Sequence, residues 1–501
     1  MKKTRFLAAF LAALTMLSTL AACSTTDEGT ESTAPVGTNS STEEESTAAD
    51  NLPQDLNYRN DEVTILSRNY GSDIVDEIFT EKLMSDPVND AIYERNKEVE
   101  ERLGIKINSI RESTEEPINK IITAIKGGTD DYDIMVELSW KVMPQSIDGY
   151  FADLRKTAYL DFDQPWWTQG FNEAASFKGS QFAVTGTMVL STYRRTYTTV
   201  FNKDIFTDAN QKFLYEYVDN GTWTLDTQAS LVPLFHKDNG NNTQDEKGDI
   251  YGFVSDCYIS VDPYQTTADL YILQKDENGE YEWAFDNERI FDVTEKVLKL
   301  YYGTDGGMYA TTNPTAQAGD FQEATRAMFS DGYAAMATLC LQALEHSTMR
   351  NMSSEYGVVP IPKFDQTIEG YPSAMHDGYT VAVIPTTVQG DRLDQMSAVL
   401  EAMGSASYRI IKPAYYELTL RTKLAKDPQS AEMMDLIIDG VVIDPGIIYS
   451  NVMGGFHAQH RHVIGGKVNN TTSTYKSLAA RATKNLKTIN RKLNSLVEND
   501  K

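Results

Sequence analysis

The chain has 501 residues, a formal net charge of −27 and an apolar content of 41%, which is typical of a globular protein with room for two sizeable domains. So acidic a surface repels phosphate groups, which argues against a nucleic-acid-binding protein and against electrostatic docking to a membrane. With three cysteines the chain has no disulfide framework, and we expect Cys257 and Cys340 to be buried free thiols.

The N-terminal segment has the pattern of a secretory signal over residues 1–22. A cationic start is followed by an apolar run over residues 6–20 and by small residues before Cys23. The segment Leu20-Ala21-Ala22-Cys23 resembles the lipobox of bacterial lipoproteins, which implies that Cys23 is acylated and becomes the N-terminus. We therefore expect a protein outside the cell, held at the outer face of the cytoplasmic membrane by its lipid alone. The alternative is an ordinary signal peptide with an incidental cysteine.

Residues 23–56 are rich in Ser, Thr, Glu and Ala and predict a flexible tether. The next stretch alternates short β-type runs with helical patterns, which predicts an α/β domain with a largely parallel sheet. The predicted elements are a strand at 63–66, a helix at 88–103 ended by Gly104, a strand at 105–110, a helix from Pro117 to Gly127, and a strand at 132–136.

Similar elements recur less regularly in the second half. Strands are predicted at 334–341, 358–361 and 379–384, and the clearest helix runs from Tyr475 to Leu496 with apolar residues at 3–4 spacing. The other face of that helix carries basic residues, for which we expect partners on the neighbouring acidic surface; the alternative is contact with a membrane partner. These residues are Lys476, Arg481, Lys484, Lys487, Arg491 and Lys492.

The sequence lacks the signatures of α/β-hydrolases, zinc proteases, P-loop proteins and dinucleotide-binding domains. Abundant carboxylates leave a glycosidase-like pair open, although no motif marks one. His457, His460 and His462 are candidates for a metal site, since His460 and His462 would share a face on a strand or loop. No nearby cysteine or carboxylate completes it, so we expect a polar loop near the domain interface and no cofactor. The loop at 238–249 has oxygen ligands but lacks the glycine and glutamate of an EF-hand.

Aromatic and polar residues mark candidate ligand contacts. If Trp166 and Trp167 lay on a strand, one ring would be buried and the other exposed or lining a cleft, where it would stack against a sugar ring. The alternative is that both pack at a domain edge. Ser67-Arg68 and Ser139-Trp140 follow predicted strands, the position where open α/β sheets bind ligands.

Taken in order, several segments resemble bacterial extracellular solute-binding proteins of the carbohydrate type, the lipid-anchored receptors of ABC importers related to maltose-binding protein. No single segment is specific, but their order and spacing match the family. These segments are Pro165-Trp166-Trp167, Thr198-Thr199-Val200-Phe201-Asn202-Lys203, Asn220-Gly221-Thr222-Trp223-Thr224-Leu225, Phe329 to Leu341, Tyr356 to Pro362 with Asp377-Gly378-Tyr379, Ala414-Tyr415-Tyr416-Glu417, and Asp427-Pro428-Gln429-Ser430 with Met433-Met434-Asp435.

The resemblance implies an α/β, two-lobed periplasmic-binding-protein type II fold, in which each lobe is a mixed or parallel sheet flanked by helices and the lobes are hinged by crossover strands. Lobe one would comprise 57–192 and 335–383, and lobe two 193–334 and 384–501, with crossovers near Thr192–Arg195 and Ala334. A ligand would lie between the lobes and favour the closed form, which the importer recognises.

The resemblance further implies a receptor that makes and breaks no bond, binds a sugar or oligosaccharide as a monomer, and delivers it to the permease subunits of an ABC importer. We expect the ligand to contact aromatic and polar side chains at the strand ends and crossovers. For Arg194 and Arg195 the alternatives are an anionic substituent of the ligand and a structural pair with acidic residues. The expected contacts are Trp166, Trp167, Trp140, Ser67, Arg68, Tyr193, Arg194, Asp377, Tyr379, Tyr415 and Tyr416.

Alternatives of another class are a surface enzyme that degrades glycans and an adhesin for polysaccharides. The enzyme needs two carboxyl groups about 5–9 Å apart, and the adhesin needs a shallow platform. The alternative ligand for a receptor is a peptide or another small polar solute.

Overall fold

Two β-sheets, each covered by helices, form the framework of the computed structural model. The structure describes residues 49–69, 76–113, 116–244, 248–311, 322–424 and 428–499. The predicted signal segment and Cys23 lie outside the described residues. The predicted tether overlaps them only at 49–56, where Leu52 is buried in a core and Asp50 pairs with Arg102 at 3.1 Å. The packed chain therefore begins before the predicted end of the tether.

The described strands are numbered in chain order. They are β1 (Asp61–Arg68), β2 (Ile105–Glu112), β3 (Ile134–Leu138), β4 (Tyr197–Asn202), β5 (Phe253–Asp256), β6 (Leu273–Lys275), β7 (Tyr281–Trp283), β8 (Met308–Thr311), β9 (Met336–Cys340), β10 (Tyr356–Val359) and β11 (Thr380–Val383).

The described α-helices are numbered in the same way, and short 3-10 helices lie at Leu154–Lys156, Ile259–Val261 and Leu341–Glu345. The α-helices are α1 (Pro87–Leu103), α2 (Glu116–Gly127), α3 (Ser139–Ser146), α4 (Gln169–Ala175), α5 (Ser191–Arg194), α6 (Lys203–Asp208), α7 (Leu214–Asp219), α8 (Leu225–Phe235), α9 (Pro263–Thr266), α10 (Asn287–Tyr302), α11 (Glu323–Ser330), α12 (Ser347–Arg350), α13 (Asp391–Leu424), α14 (Pro428–Asp439), α15 (Pro445–Ile448), α16 (Gln459–Gly465) and α17 (Thr471–Asn499).

The first sheet has the order β11-β3-β1-β2, with β1 parallel to both β2 and β3 and with β11 antiparallel to β3. The predicted strand–helix–strand–helix–strand run is confirmed, because its ends are set by local signals. Asp86 caps α1 by accepting from the backbone N–H groups of the first turn, Pro87 occupies the first helical position, and Gly104 ends the helix with a φ of 61°.

Both faces of the first sheet are buried. Ile65 and Val136 face a core that includes Met396 and Leu400 of α13, whereas Met135 packs with the core on the other face. Successive side chains of a strand point to opposite faces, so a parallel sheet covered on both sides needs apolar residues at nearly every position. This requirement explains the apolar run Ile134-Met135-Val136 of the central strand β3, whereas the edge strand β2 alternates buried and exposed residues at its start.

The second sheet has the order β10-β4-β9-β5-β8 and mixes antiparallel and parallel pairs. β4 pairs antiparallel with β9 and β10, and β5 pairs parallel with β8 and β9. Helix α14 covers one part of this sheet through Met434 and Ile437, which pack with Val200 and Val358. Each lobe is thus a sheet flanked by helices, as predicted.

The predicted lobe boundaries differ from those of the structure. Segment 335–383 was assigned to lobe one, but β9 and β10 lie in the second sheet beside β4. Segment 384–501 was assigned to lobe two, but the first half of α13 packs in the core of the first sheet. Pairings between residues distant in sequence determine both placements, and the local pattern of small apolar residues carries no information about them.

The chain passes between the two sheets near Thr196, near Met375 and within α13. The first two passages lie side by side, because Thr196 bridges Met375 and the His376 N–H donates to the Arg195 carbonyl at 2.8 Å. The first agrees in position with the predicted crossover near Thr192–Arg195. The return lies near Met375 and not near Ala334, which bridges Tyr251 inside the second lobe.

The last helix, α17, packs by its apolar face as predicted, with Tyr475, Leu486, Ile489 and Leu493 buried. Trp283, at the end of the β6–β7 hairpin, packs edge-to-face against Phe456 with ring centroids 5.0 Å apart. Of the helices in the described ranges, none is both long enough and apolar enough to cross a membrane.

Candidate functional site

The carboxyl ends of the two sheets meet beside the Met375 passage. In the first lobe, β3 ends at Leu138 and leads directly into Ser139 and Trp140 at the start of α3. The Ser139 hydroxyl donates to the Asp377 carbonyl at 3.1 Å, which joins this strand end to the crossing chain. In the second lobe, β5 ends at Asp256 and is followed by the exposed ring of Tyr258. Ligands of open α/β sheets bind at such strand ends.

Asp377 lies at the centre of this region between two histidines. Its carboxylate is 3.4 Å from His376 Nδ1 and 3.4 Å from His457 Nε2. Burial acts to raise the pKa of Asp377, but the two rings around the carboxylate lower it below its usual range. Burial lowers the pKa of His376 to about 4. At neutral pH the cluster therefore presents an ionised carboxylate beside a neutral imidazole.

A buried ion pair completes the wall contributed by the second lobe. Arg461 of α16 binds Asp262 with both an Nε contact at 2.9 Å and an Nη2 contact at 2.5 Å. Burial acts to lower the pKa of Arg461, but the charge of Asp262 raises it above its usual range. The same guanidinium lies 4.9 Å from the centroid of Tyr258 and so covers one part of that ring.

The two lobes touch at this place. Asn451 of the second lobe donates to the Trp140 carbonyl of the first lobe at 2.9 Å. The half-buried Trp140 ring and the Tyr258 ring, 47% of which is exposed, thus belong to different lobes. We call Trp140, Tyr258, Asp262, Asp377 and Arg461 the strand-end site. Aromatic faces next to ionised and hydrogen-bonding groups suit a polar ligand with apolar ring faces.

A cavity of about 280 Å³ lies where the three passages between the lobes come together, and we call it the hinge cavity. Its walls come from the first lobe, from the second lobe and from the passages themselves. The lining residues are 165–170, Thr187, Thr192, Tyr193, Met375, Tyr408, Lys412, Ile438, Asp439 and Val441.

Trp166 and Trp167 both line the hinge cavity, and both are buried, with exposures of 1% and 2%. The expectation that one ring is exposed rested on strand alternation. These residues lie instead in a turn, where Trp167 makes an isolated bridge with Gly186, so alternation does not apply. The Trp167 indole N–H donates to Glu401 Oε2 at 3.1 Å. Both rings belong to the core of the first lobe.

The pH dependence of stability should report on this buried carboxylate. Burial raises the pKa of Glu401 to about 7 from 4.5, so the folded protein keeps a proton between these pH values that the unfolded chain has lost. The free energy of unfolding should therefore fall as pH rises through this window. Glu401→Gln should remove up to about 3 kcal/mol of that fall, since each pKa unit corresponds to about 1.4 kcal/mol.

The measurement is urea unfolding of both proteins from pH 4.5 to pH 8, with each referred to its own stability at pH 4.5 so that packing effects cancel. The burial argument for Glu401 would be contradicted by equal slopes in the two proteins.

The crossover tyrosines form a packed cluster. Tyr193 stacks on Tyr415 with ring centroids 5.3 Å apart and meets Tyr416 edge-on at 6.3 Å. The Tyr416 hydroxyl donates to Asp435 at 2.9 Å. Arg194 forms a bidentate pair with Glu345, its Nε and Nη2 each lying 2.9 Å from a carboxylate oxygen. Of the two alternatives for Arg194, a ligand substituent and a structural pair with an acidic residue, the structure shows the pair.

The remaining candidates at the strand ends are buried. Ser67 is fully buried, Arg68 is 8% exposed, and Tyr379 packs edge-to-face on Phe171 with centroids 6.0 Å apart. Of the eleven predicted contacts, the structure thus brings Trp140 and Asp377 into the strand-end site and Trp166, Trp167 and Tyr193 into the hinge cavity. The other six are Ser67, Arg68, Arg194, Tyr379, Tyr415 and Tyr416, which lie in the surrounding core.

The three candidate metal-binding histidines do not share a face. His460 and His462 lie on helix α16, where residues two apart point in different directions, so His460 is buried and His462 is exposed. His457 precedes the helix and hydrogen-bonds Ser450 at 2.6 Å. Within the described ranges no group of three or more His, Cys, Asp or Glu side chains is placed to hold a metal ion.

Sequence reasoning missed Tyr258, Asp262, His376 and Arg461. Tyr258 follows the short strand Phe253–Asp256, which begins with two apolar residues, so the rule that ligands bind after strands could have found it. Asp262 and Arg461 are 199 residues apart in sequence, so no local sequence pattern predicts that they pair.

No protein-family model and no curated protein matches the sequence. Solved structures do match. One is an ABC substrate-binding protein of Listeria monocytogenes in complex with cycloalternan, with 14% identity and a TM-score of 0.53 over 87% of this chain and 99% of that one.

Two further matches have similar scores. The GacH receptor of Streptomyces glaucescens, solved unliganded and with acarbose, is 16% identical with a TM-score of 0.53 over 84% of this chain and 98% of that one. MalE of Bdellovibrio bacteriovorus, bound to maltotriose, is 14% identical with a TM-score of 0.52 over 84% of this chain and all 100% of that one. The chain has the type II periplasmic-binding-protein fold of these ABC sugar-binding proteins.

Proposed function

We propose that the protein is an extracellular solute-binding protein that captures a sugar or oligosaccharide between its lobes and delivers it to the permease subunits of an ABC importer. The observation that carries the proposal is the strand-end site, in which an aromatic ring from each lobe lies beside ionised and hydrogen-bonding groups. Its position at the carboxyl ends of both sheets is where this fold class binds ligands.

The fold neighbours support a sugar as the ligand, since their structures hold cycloalternan, acarbose and maltotriose. A ligand that touches both Trp140 and Tyr258 makes its full set of contacts only when the lobes are together. Binding would therefore shift the population toward the closed form, and the importer would recognise that form. The protein itself makes and breaks no covalent bond in this proposal.

The proposed location is the outer face of the cytoplasmic membrane. Its support is the sequence pattern of residues 1–22 followed by Cys23, which would carry the lipid. The receptor would act there as a monomer, with the lipid keeping it close to its importer.

Thermal and chemical unfolding against a panel of sugars, oligosaccharides, peptides and polyamines tests the proposal. A sugar present at 100 times its Kd should raise the free energy of unfolding by about 2.7 kcal/mol. A peptide or polyamine that stabilises the protein while no sugar does so would overturn the carbohydrate part. Shorter products after incubation with an oligosaccharide would favour the glycan-degrading enzyme instead.

A further inference from the structure

The outward face of α17 carries an unusual row of exposed cations. Six Lys and Arg residues lie on this helix with Glu498 as its one acidic residue, which gives a net charge of +5 (six minus one) on a chain whose net charge is −27. Lys492 is half-buried and pairs with Asp148. The other five are exposed: Lys476, Arg481, Lys484, Lys487 and Arg491.

These five cations have no carboxylate partner within 4.0 Å among the residues that the structure describes. Two exposed lysines elsewhere in the chain do have partners: Lys97 binds Glu100 at 2.9 Å, and Lys212 binds Glu216 at 2.7 Å. The expectation that neighbouring acidic groups neutralise the strip is therefore met only at Lys492. Glu280 and Glu498 line the same surface depression as Lys487 and Arg491, but among the described residues neither forms an ion pair with them, so this helix face keeps a net positive charge.

The geometry of the helix gathers four of the five into one stripe. At about 100° per residue, Lys476, Lys484, Lys487 and Arg491 fall within an arc of about 80°, and at 1.5 Å per residue the stripe is about 22 Å long. Like charges spaced three and four residues apart destabilise a helix. The buried apolar residues of the opposite side hold the stripe outward.

We propose that this stripe is the surface by which the tethered protein rests on anionic phospholipid headgroups. The inference rests on the proposed location at a membrane, and not on the identity of the sugar. It departs from the expectation, drawn from the net charge of −27, that the lipid alone holds the protein at the membrane. Exposed charges farther apart than the Debye length of about 8–10 Å are screened at physiological salt. At contact the net positive charge of the stripe and its immediate neighbours, Glu280 and Glu498 included, therefore outweighs the acidic charge of the rest of the chain. Clustered Lys and Arg residues are what recognise such a surface.

The consequence is a fixed orientation. A lipid at Cys23 would limit only the distance from the membrane, whereas a basic stripe about 22 Å long also selects which side faces it. The strand-end site would then have a fixed orientation relative to an importer in the same membrane.

Vesicle co-sedimentation tests the inference with the chain starting at Ser24, which retains the whole compact unit from 45 to 501 and lacks both leader and lipid. At 50 mM salt we expect binding to phosphatidylcholine vesicles containing about one third phosphatidylglycerol, no binding to pure phosphatidylcholine, and release at 500 mM salt. The triple variant Lys484→Glu, Lys487→Glu, Arg491→Glu should reduce binding at least tenfold.

The matched control has the same charge change at exposed lysines elsewhere, Lys97→Glu, Lys106→Glu and Lys212→Glu, and should bind within about twofold of the original protein. Equal loss in both triple variants, equal binding to both kinds of vesicle, or binding to soluble polyphosphate without binding to vesicles would each overturn the inference. If the α17 triple variant misfolds, Lys487→Glu alone should show a loss of severalfold. Stabilisation by sugars is measured in a separate experiment, so the proposed sugar binding and the proposed lipid contact can each be contradicted without the other.

Discussion

Glu345→Ala should lower the free energy of unfolding by about 3–5 kcal/mol, the cost of removing one partner from a buried ion pair. The Arg194 side chain is 2% exposed, and its bidentate contact with Glu345 satisfies two of its donors. Burial acts to lower the pKa of Arg194, but Glu345 raises it above its usual range, so the guanidinium stays charged. Without Glu345 the buried guanidinium loses this bidentate carboxylate partner.

Urea unfolding at pH 7 measures this effect, with the midpoint and the slope both recorded. The matched control is Glu216→Ala, which removes the partner of Lys212 from a pair whose side chains are 66% and 52% exposed, and which should cost less than about 1 kcal/mol. The double variant Arg194→Met, Glu345→Leu removes both charges and should be more stable than Glu345→Ala. A loss below about 1 kcal/mol in Glu345→Ala would contradict the buried pair.

The sequence predicted the first lobe well because local signals determine its elements. The cap at Asp86, the proline at 87 and the glycine at 104 fix α1 without reference to the rest of the chain. Short β-type runs that alternate with helical patterns predicted a largely parallel sheet, and β1 pairs parallel with both β2 and β3. Here sequence and structure agree to within a few residues.

The lobe boundaries were not predictable in the same way. Nothing local distinguishes a strand that returns to the first sheet from one that stays in the second, and the residues of β9 suit either. Its place follows from pairing with β4, more than 130 residues earlier in the chain. The burial of both Trp166 and Trp167 likewise depends on a turn held by Gly186 and on Glu401 of α13.

In the candidate site, too, some residues could be predicted from the local sequence and others could not. Trp140 and Asp377 are candidates already from the sequence, because one follows a strand and the other belongs to a segment resembling the receptor family. Tyr258 and Arg461 come together only in the fold, where the guanidinium covers part of the ring. A sequence therefore indicates which strand ends to search, while the partner groups across a site depend on how the lobes meet.

The double variant Trp140→Ala, Tyr258→Ala should weaken binding of a stabilising sugar about a thousandfold. Aromatic residues at the centre of a binding site commonly contribute about 2 kcal/mol each, and about 4 kcal/mol corresponds to three powers of ten in Kd. Each single variant should weaken binding about thirtyfold, because each removes the ring contributed by one lobe. Calorimetric titration with the sugar found by the unfolding panel gives these constants directly.

The matched control is Trp283→Ala, which removes a ring that packs on Phe456 within the second lobe. We expect it to lower stability while leaving Kd within about twofold, because the ring lies outside the strand-end site. A second comparison, Trp166→Phe, distinguishes the strand-end site from the hinge cavity: it alters the wall of the hinge cavity and should leave the sugar affinity nearly unchanged. Loss of affinity in Trp166→Phe with none in Trp140→Ala would place the sugar in the hinge cavity and not between the strand ends.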